Sequence, residues 1–246
     1  MSDTRNAVAT SEVIEALIAE FGERLVSVVL YGSVPRRESV LGISDINLLV
    51  LLDRVTLDDL RCMSAIARRW VDLGRAAPML FGREEFRRSS DAFAIELADL
   101  RDRREVLHGE DPVADLDLPR SALRHQLEHE LRARHSQLRE GLMLTAPVPS
   151  AVGELLERAI PAFVCYLRAI LRLSGRDVPA TSEDVIRAAA NLVGARPDAF
   201  LDVWGARRAG FVPEIGMEDP IVEAYLELVE RSIDWVDGLG PVRQTE

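Results

Sequence analysis

One polar loop between two apolar runs carries most of the residues that could do chemistry. It opens with Gly32 and Ser33 after the apolar run 25–31, and it closes with Asp45 and Asn47 at the start of a second apolar run. Glycine lets the backbone approach a ligand closely, and a serine hydroxyl with neighbouring N–H groups can bind an anion. Carboxylate oxygens together with nucleotide phosphates are the ligands that Mg²⁺ prefers. The pattern therefore favours a phosphate- and metal-binding loop between two buried strands.

A third acid is expected from a later strand. Side chains alternate along a strand, so Asp45 and Asn47 share one face of the strand predicted over 45–52. Residues 92–100 also alternate, which predicts a strand whose Glu96 could join those two side chains on one face of the sheet. Two other acids are the substitutes if Glu96 lies too far from Asp45: Asp91 and Asp99.

This arrangement resembles the nucleotidyltransferase superfamily that includes DNA polymerase β and the small antibiotic nucleotidyltransferases. In that family an apolar strand ends in Gly-Ser, a short loop follows, and Asp-x-Asp or Asp-x-Glu enters a second strand. Here eleven residues separate Ser33 from Asp45, and Arg36 matches an arginine that often follows the Gly-Ser pair. The resemblance covers roughly residues 10–112.

The resemblance implies a site and a reaction. Mg²⁺ would be bound by Asp45, Asn47 and Glu96, of which Asp45 and Glu96 are the catalytic acids. The co-substrate would be a nucleoside triphosphate, most simply ATP, and an acceptor hydroxyl or phosphate would attack its α-phosphorus with pyrophosphate leaving. The residues implied to contact the nucleotide are Gly32, Ser33, Arg36, Ser44 and Asn47.

Asn47 departs from the family pattern, because a neutral amide stands where the family has its second acid. It supplies one oxygen without charge, so binding of two metal ions should be weaker. Three interpretations stay open: an active enzyme using Asp45 and Glu96, a protein that binds a nucleotide without turning it over, or an inactive protein. The acceptor also stays open between a small molecule and, as in antitoxin-like nucleotidyltransferases, a partner protein.

The surrounding pattern predicts an α+β fold in two domains. Residues 1–118 would form a nucleotidyltransferase domain with a mixed β-sheet flanked by helices, and residues 119–246 an all-α helical bundle that forms one wall of the substrate cleft. Helical periodicity or alternation supports further predicted elements: helices over 11–23 and 56–73 with Thr56 as a cap, a strand over 78–81, a loop over 107–112, and in the bundle a long helix marked by Leu123, Leu127, Leu131, Leu138 and Leu142.

Composition excludes several classes of protein. The net charge of −11 argues against an extended nucleic-acid-binding face, and all thirty basic residues are arginine. Without lysine, neither a Walker A loop nor Schiff-base chemistry is possible. No apolar run is long enough to cross a membrane, and the N-terminal residues lack the basic region and apolar core of a secretory signal. A cytoplasmic protein is therefore expected, with Cys62 and Cys165 as buried, reduced thiols and the oligomeric state open.

Two weaker motifs share one charged helix. His125, Glu128 and His129 spell the inverted zincin pattern, and Arg120–His125 and Arg124–His129 each fit the R-x₄-H spacing of HEPN-type ribonucleases. A helix this rich in charge produces such spacings easily, so a solvated or cleft-facing helix surface is expected. The three tryptophans fall in apolar helical stretches and are expected in the core: Trp70, Trp204 and Trp235.

Overall fold

The computed structural model of the chain describes residues 2–32, 46–90, 92–114 and 116–240. The chain divides into two compact units, residues 1–118 and 119–246. That each unit is a domain able to fold alone stays a prediction.

The first unit is an α+β structure with a mixed four-stranded sheet, as predicted. The strand order is β3-β2-β1-β4, with β1 antiparallel to both β2 and β4 and with β2 parallel to β3. Its elements are α1 (Ser2–Phe21), β1 (Leu25–Gly32), β2 (Ile46–Leu52), α2 (Leu57–Val71), β3 (Met79–Gly82), α3 (Arg83–Arg88), α4 (Ala94–Asp102) and β4 (Arg104–Gly109).

Both faces of the central strands are covered, which explains why β1 and β2 are continuous apolar runs rather than alternating ones. One face, with Val28 and Leu30, packs against Leu17 of α1 and Trp70 of α2. The other face packs against residues of α3 and α4: Val29, Tyr31, Leu49 and Leu51 lie against Phe86, Leu97 and Leu100.

The start of α2 is fixed by the predicted cap. The Thr56 hydroxyl accepts a hydrogen bond from the Asp59 N–H, and the Asp59 carboxylate accepts one from the Thr56 N–H, which together form a capping box. Arg24, which precedes β1, donates two further hydrogen bonds to the same carboxylate. This contact ties the helix to the first strand.

Two predictions in the first unit were wrong. Most of the predicted strand 92–100 belongs to helix α4 instead. Apolar side chains from both faces of the predicted strand, among them Ile95, Leu97 and Ala98, are buried in this helix. The first three residues of the predicted loop 107–112 belong instead to strand β4, which pairs with β1 at the edge of the sheet. Like many edge strands, β4 contains charged side chains, so it lacks the apolar pattern from which strands are predicted.

The second unit is helical throughout its described elements: α5 (Arg120–Thr145), α6 (Pro149–Leu173), α7 (Ser182–Val193), α8 (Asp198–Ala209) and α9 (Pro220–Gly238). All five leucines that marked the long helix are buried along α5, so that prediction is confirmed. Within the described ranges, no helix combines the length and apolar character that crossing a membrane requires.

Candidate functional site

The candidate site begins at a row of three residues that crosses the sheet. Asn47 of β2 is level with Tyr31 of β1, and Tyr31 is level with Arg104 of β4. Residues directly opposite each other in antiparallel strands project from the same face, so these three side chains share one side of the sheet. Asn47 is half-buried there. Asn47 therefore lies on one face with Tyr31 and Arg104. That Asp45 shares this face stays a prediction.

Tyr31 forms the floor of this row and was missed by sequence reasoning. Its side chain is buried, and its hydroxyl donates to the Met79 sulfur at 2.7 Å. Because β2 lies between β1 and β3, the phenol must cross β2 to reach Met79, which pairs with Leu49. The available signal was the alternation of β1, which places Tyr31 on the face opposite Leu30, but no single-sequence pattern identifies the partner strand.

Gly32 ends β1 in a conformation that favours glycine. Its φ is 98°, a region that side-chain-bearing residues rarely adopt. Its N–H donates to the Arg103 carbonyl at 3.3 Å, immediately before β4. The Gly32 N–H group is therefore used inside the sheet. A phosphate held at this end would have to be bound by other groups.

Glu96 reaches this side of the sheet from a helix and not from a strand, which corrects the predicted arrangement. Helix α4 packs through Leu97 and Leu100 into the cluster that contains Tyr31, so it covers the same face that bears Asn47. Glu96 is half-buried in the first turn of α4. Asp99, the named substitute, follows one turn later, and its carbonyl accepts a hydrogen bond from the Arg103 N–H.

The remaining predicted site residues lie outside the described residues. Their contribution stays a prediction: Ser33, Arg36, Ser44, Asp45 and the substitute Asp91.

Arg104, the third member of the row, is held by a carboxylate. Its Nε and Nη2 atoms donate to the Asp111 oxygens at 2.7 to 3.0 Å, and Asp111 also accepts from the Val113 N–H. The hydrogen bonds from Arg104 hold the pKa of Asp111 below its usual range. This pair fixes the chain after β4, and it largely neutralises the charge of Arg104.

The described residues provide few metal ligands. Across the described ranges, no group of three or more His, Cys, Asp or Glu side chains could hold a metal ion. Among the sheet residues that the structure describes, the only carboxylate is Glu105, and it pairs with Leu30 on the opposite face from Asn47. The predicted ligands Asp45, Asn47 and Glu96 supply two carboxylates and one amide oxygen, a set that fits one Mg²⁺ ion rather than two.

The charged helix that carries the weaker motifs has the predicted solvated surface. His125 and His129 are exposed, and Glu128 pairs with Arg124 at 3.3 Å and with Arg132 at 3.7 Å. Neither the zincin nor the ribonuclease pattern gains a further ligand or base from these contacts.

The cysteine and tryptophan predictions are partly confirmed. Both cysteines lie in helices, but Cys62 is exposed and Cys165 half-buried, so their predicted burial was wrong. Trp70 and Trp204 are buried as predicted, and Trp235 is half-buried.

Comparison with known proteins supports the fold. No protein-family model and no curated sequence matches this chain. Six solved chains match its structure. One of them is spectinomycin adenyltransferase AAD(9) from Enterococcus faecialis, crystallised with ATP and spectinomycin, which superposes with a TM-score of 0.60 at 11% identity over 92% of this chain and 98% of that chain. At this identity the likeness shows the fold, and the chain has a nucleotidyltransferase-like α+β fold.

Proposed function

We propose that this chain binds a nucleoside triphosphate, most simply ATP, at the Gly32 end of its sheet and transfers the nucleoside monophosphate to an acceptor. The acceptor is a hydroxyl or phosphate group of a small molecule or of a protein. The observation that carries the proposal is the row of Asn47 and Tyr31 beside Gly32, the last residue of β1, whose φ is 98°. It occurs in a fold shared with an adenyltransferase that was crystallised with ATP and a small-molecule acceptor.

The proposal gives each chemical task to a residue. Arg36 pairs bidentately with phosphate oxygens, and Ser33 and Ser44 donate hydroxyl hydrogen bonds to the nucleotide. Gly32 directs the loop toward it, and the buried Tyr31 keeps water out of the sheet beneath. Glu96 accepts the proton of the attacking hydroxyl.

One Mg²⁺ ion would be held by Asp45, the Asn47 amide oxygen and Glu96. When bound, it would offset the negative charge that develops on the phosphate oxygens. We further propose a cytoplasmic location, a compartment in which Cys62 and Cys165 would stay reduced.

A second candidate function is nucleotide binding without transfer. It is favoured by the neutral Asn47 and by the lack of a carboxylate on its face among the described sheet residues. Such a protein would recognise the nucleotide through the same loop but would release it unchanged.

The test uses ATP labelled separately at the α- and the γ-phosphate. Native protein is incubated with Mg²⁺ and with panels of aminoglycosides, lincosamides, spectinomycin and bacterial lysate. Nucleotidyl transfer moves the α-label to the acceptor and leaves the γ-label in pyrophosphate. Glu96→Gln is expected to lose transfer, whereas Glu105→Gln, a matched carboxylate on the opposite face of the sheet, is expected to keep it.

The outcomes separate the candidates. Saturable ATP binding without movement of the α-label supports the second candidate. Absence of saturable ATP binding contradicts both, and movement of the γ-label alone contradicts nucleotidyl transfer.

A further inference from the structure

The second unit exposes its large apolar side chains at one end only. Within the described part of this unit, every exposed side chain of this kind lies in the last turn of α5, in the turn between α5 and α6, or in the loop between α8 and α9. Leu144 is 84% exposed and Met143 is 72% exposed. We call the set the end patch, and its members are Met143, Leu144, Val148, Phe211, Val212 and Met217.

Two backbone contacts bring the chain segments of the end patch together. The Ile215 N–H donates to the Pro149 carbonyl at 3.2 Å, which ties the α8–α9 loop to the residue after Val148. The Pro213 carbonyl oxygen lies so close to Gly153 that a Cβ added there would be 1.7 Å from it. The glycine therefore lets the loop pack directly on the first turns of α6. The end patch is thus gathered at one end of the helical unit.

The size of the end patch points to a protein interface. From their exposed fractions, the six residues present roughly 500 Å² to solvent, whereas monomeric proteins rarely expose contiguous apolar patches of more than a few hundred Å². Together with the polar residues around it, the patch approaches the area of about 800 Å² that each partner buries in a standard interface. The area is therefore sufficient for a stable dimer.

The charges at the rim favour a second copy of this chain as the occupant. Arg139 lies one turn before Met143 on α5, and Glu214 lies in the loop that carries Phe211. Both charged side chains are exposed, and within the described residues neither forms an ion pair. An isologous interface repeats each contact twice, so a two-fold axis through the patch can place each Arg139 against the partner's Glu214. The rim is thus complementary in charge to itself.

A lipid surface or a nucleic acid fits this rim less well. Three exposed acids lie near the patch, Glu140, Glu214 and Glu218, and the whole chain contains no lysine. Anionic lipids and nucleic acids recruit clustered cations. Both would therefore be repelled at this end of the unit.

We propose that the end patch is the interface of a two-fold homodimer. The apolar side chains of one copy, Leu144 and Phe211 among them, pack against the end patch of the other, and Arg139 of each copy pairs with the partner's Glu214. The inference goes beyond the proposed function and does not depend on it, since no residue of the nucleotide site takes part.

The test measures the mass of the full chain in solution by analytical ultracentrifugation over a range of protein concentrations. The native chain is expected to form a dimer with a dissociation constant of about 1 to 100 µM. Leu144→Gln removes apolar surface from the centre of the contact and is expected to weaken the dimer about tenfold or more. The matched control is Leu57→Gln, because Leu57 is 64% exposed but lies on α2 of the first unit, and it should leave the dimer unchanged.

Charge reversal tests the ion pair across the two-fold axis. Arg139→Glu alone and Glu214→Arg alone each bring like charges together twice, so each is expected to weaken its own dimer about tenfold or more. In an equal mixture of the two variants, both contacts again join opposite charges, so a heterodimer of about native affinity is expected. Mixing could not restore a contact made within one chain. Arg196→Glu is the control, because Arg196 is exposed and precedes α8, whose other end adjoins the patch.

Three results would overturn the inference. A native chain that stays monomeric up to about 500 µM has no such interface. A native dimer of unchanged affinity in Leu144→Gln, with a native circular dichroism spectrum, uses another surface. A mixture of the two charge-reversed variants that pairs no better than either alone shows that Arg139 and Glu214 do not meet across the axis. If the monomeric chain instead sediments with phosphatidylglycerol vesicles, the occupant of the patch is a lipid surface and the homodimer is wrong.

Discussion

Replacing Asp59 by alanine is expected to destabilise the first unit by about 2 kcal/mol. Asp59 is 4% exposed, and its side chain joins the start of α2 to the residue before β1. Its Oδ2 accepts hydrogen bonds from the Thr56 N–H and hydroxyl, each at 2.8 Å. Arg24 donates to both carboxylate oxygens, also at 2.8 Å.

The magnitude follows from what each partner loses. Loss of a helix-capping contact costs about 1 kcal/mol, and a partly buried N–H left without an acceptor, here that of Thr56, costs about 1 kcal/mol or more. Arg24 is 44% exposed at its side chain, so water can replace its lost hydrogen bonds and its contribution is small. For a urea dependence of about 2 kcal/mol per molar, the expected shift of the unfolding midpoint is about 1 M.

The neighbouring acid provides a matched control for the urea measurement. Asp58 also lies in the first turn of α2 and pairs with Arg61 at 2.6 Å, but its side chain is 82% exposed. Asp58→Ala is therefore expected to change the free energy of unfolding by less than about 0.5 kcal/mol.

The pH dependence gives a second check with a defined sign. Hydrogen bonds from Arg24 and then from Thr56 hold the pKa of Asp59 well below its usual range in the folded state. A lowered folded-state pKa stabilises the fold above the unfolded pKa of about 4, and this stabilisation is lost as the pH falls further. The difference between native and Asp59→Ala protein should shrink below pH 4. Equal effects of Asp58→Ala and Asp59→Ala, or a difference independent of pH, would refute the reasoning.

Three further substitutions test other parts of the structure. Gly109→Ala would place a Cβ atom 2.0 Å from a backbone carbonyl oxygen of β1, at a residue whose φ is 75°. We expect the free energy of unfolding in urea to fall by more than about 4 kcal/mol. In the control Gly22→Ala the new Cβ meets no atom within 4 Å, so the loss should be about 1 kcal/mol. Asn47→Asp adds a negative charge on the sheet face where Mg²⁺ is proposed to bind. We expect about tenfold tighter Mg²⁺–ATP binding by calorimetry, together with faster transfer of the α-label. Asp111→Asn weakens the pair with Arg104, and because the pKa of Asp111 is lowered by that pair, the loss of thermal stability should be present at pH 7 and fade below pH 4.

The parts of the fold that sequence predicts well are those with one strong local cause. Strands β1 and β2 are continuous apolar runs, Thr56 with Asp59 is a local capping signal, and the leucine spacing of α5 repeats over many turns. The run that became α4 is short, and a short apolar run fits either a strand or a buried helix. Its packing against the sheet, a tertiary effect, decides between them.

The candidate site also has some features with a local cause and others that depend on tertiary structure. Alternation along β2 is local, so the position of Asn47 on a covered face follows from the sequence. The partners of that face depend on which strands pair and in which register, and no local pattern contains this information. The crossing of Tyr31 to Met79 and the hydrogen bond from the Gly32 N–H to the Arg103 carbonyl both arise from such pairing.

The central claim is that a nucleoside triphosphate binds at the Gly32 end of the sheet, and titration calorimetry with ATP in Mg²⁺ tests it most directly. Native protein is expected to bind one ATP per chain, and Asp45→Ala to bind it at least about tenfold more weakly. Asp53→Ala, directly after the last residue of β2, should retain the native affinity. The account is contradicted if native protein shows no saturable binding, or if Asp45→Ala binds ATP with unchanged affinity.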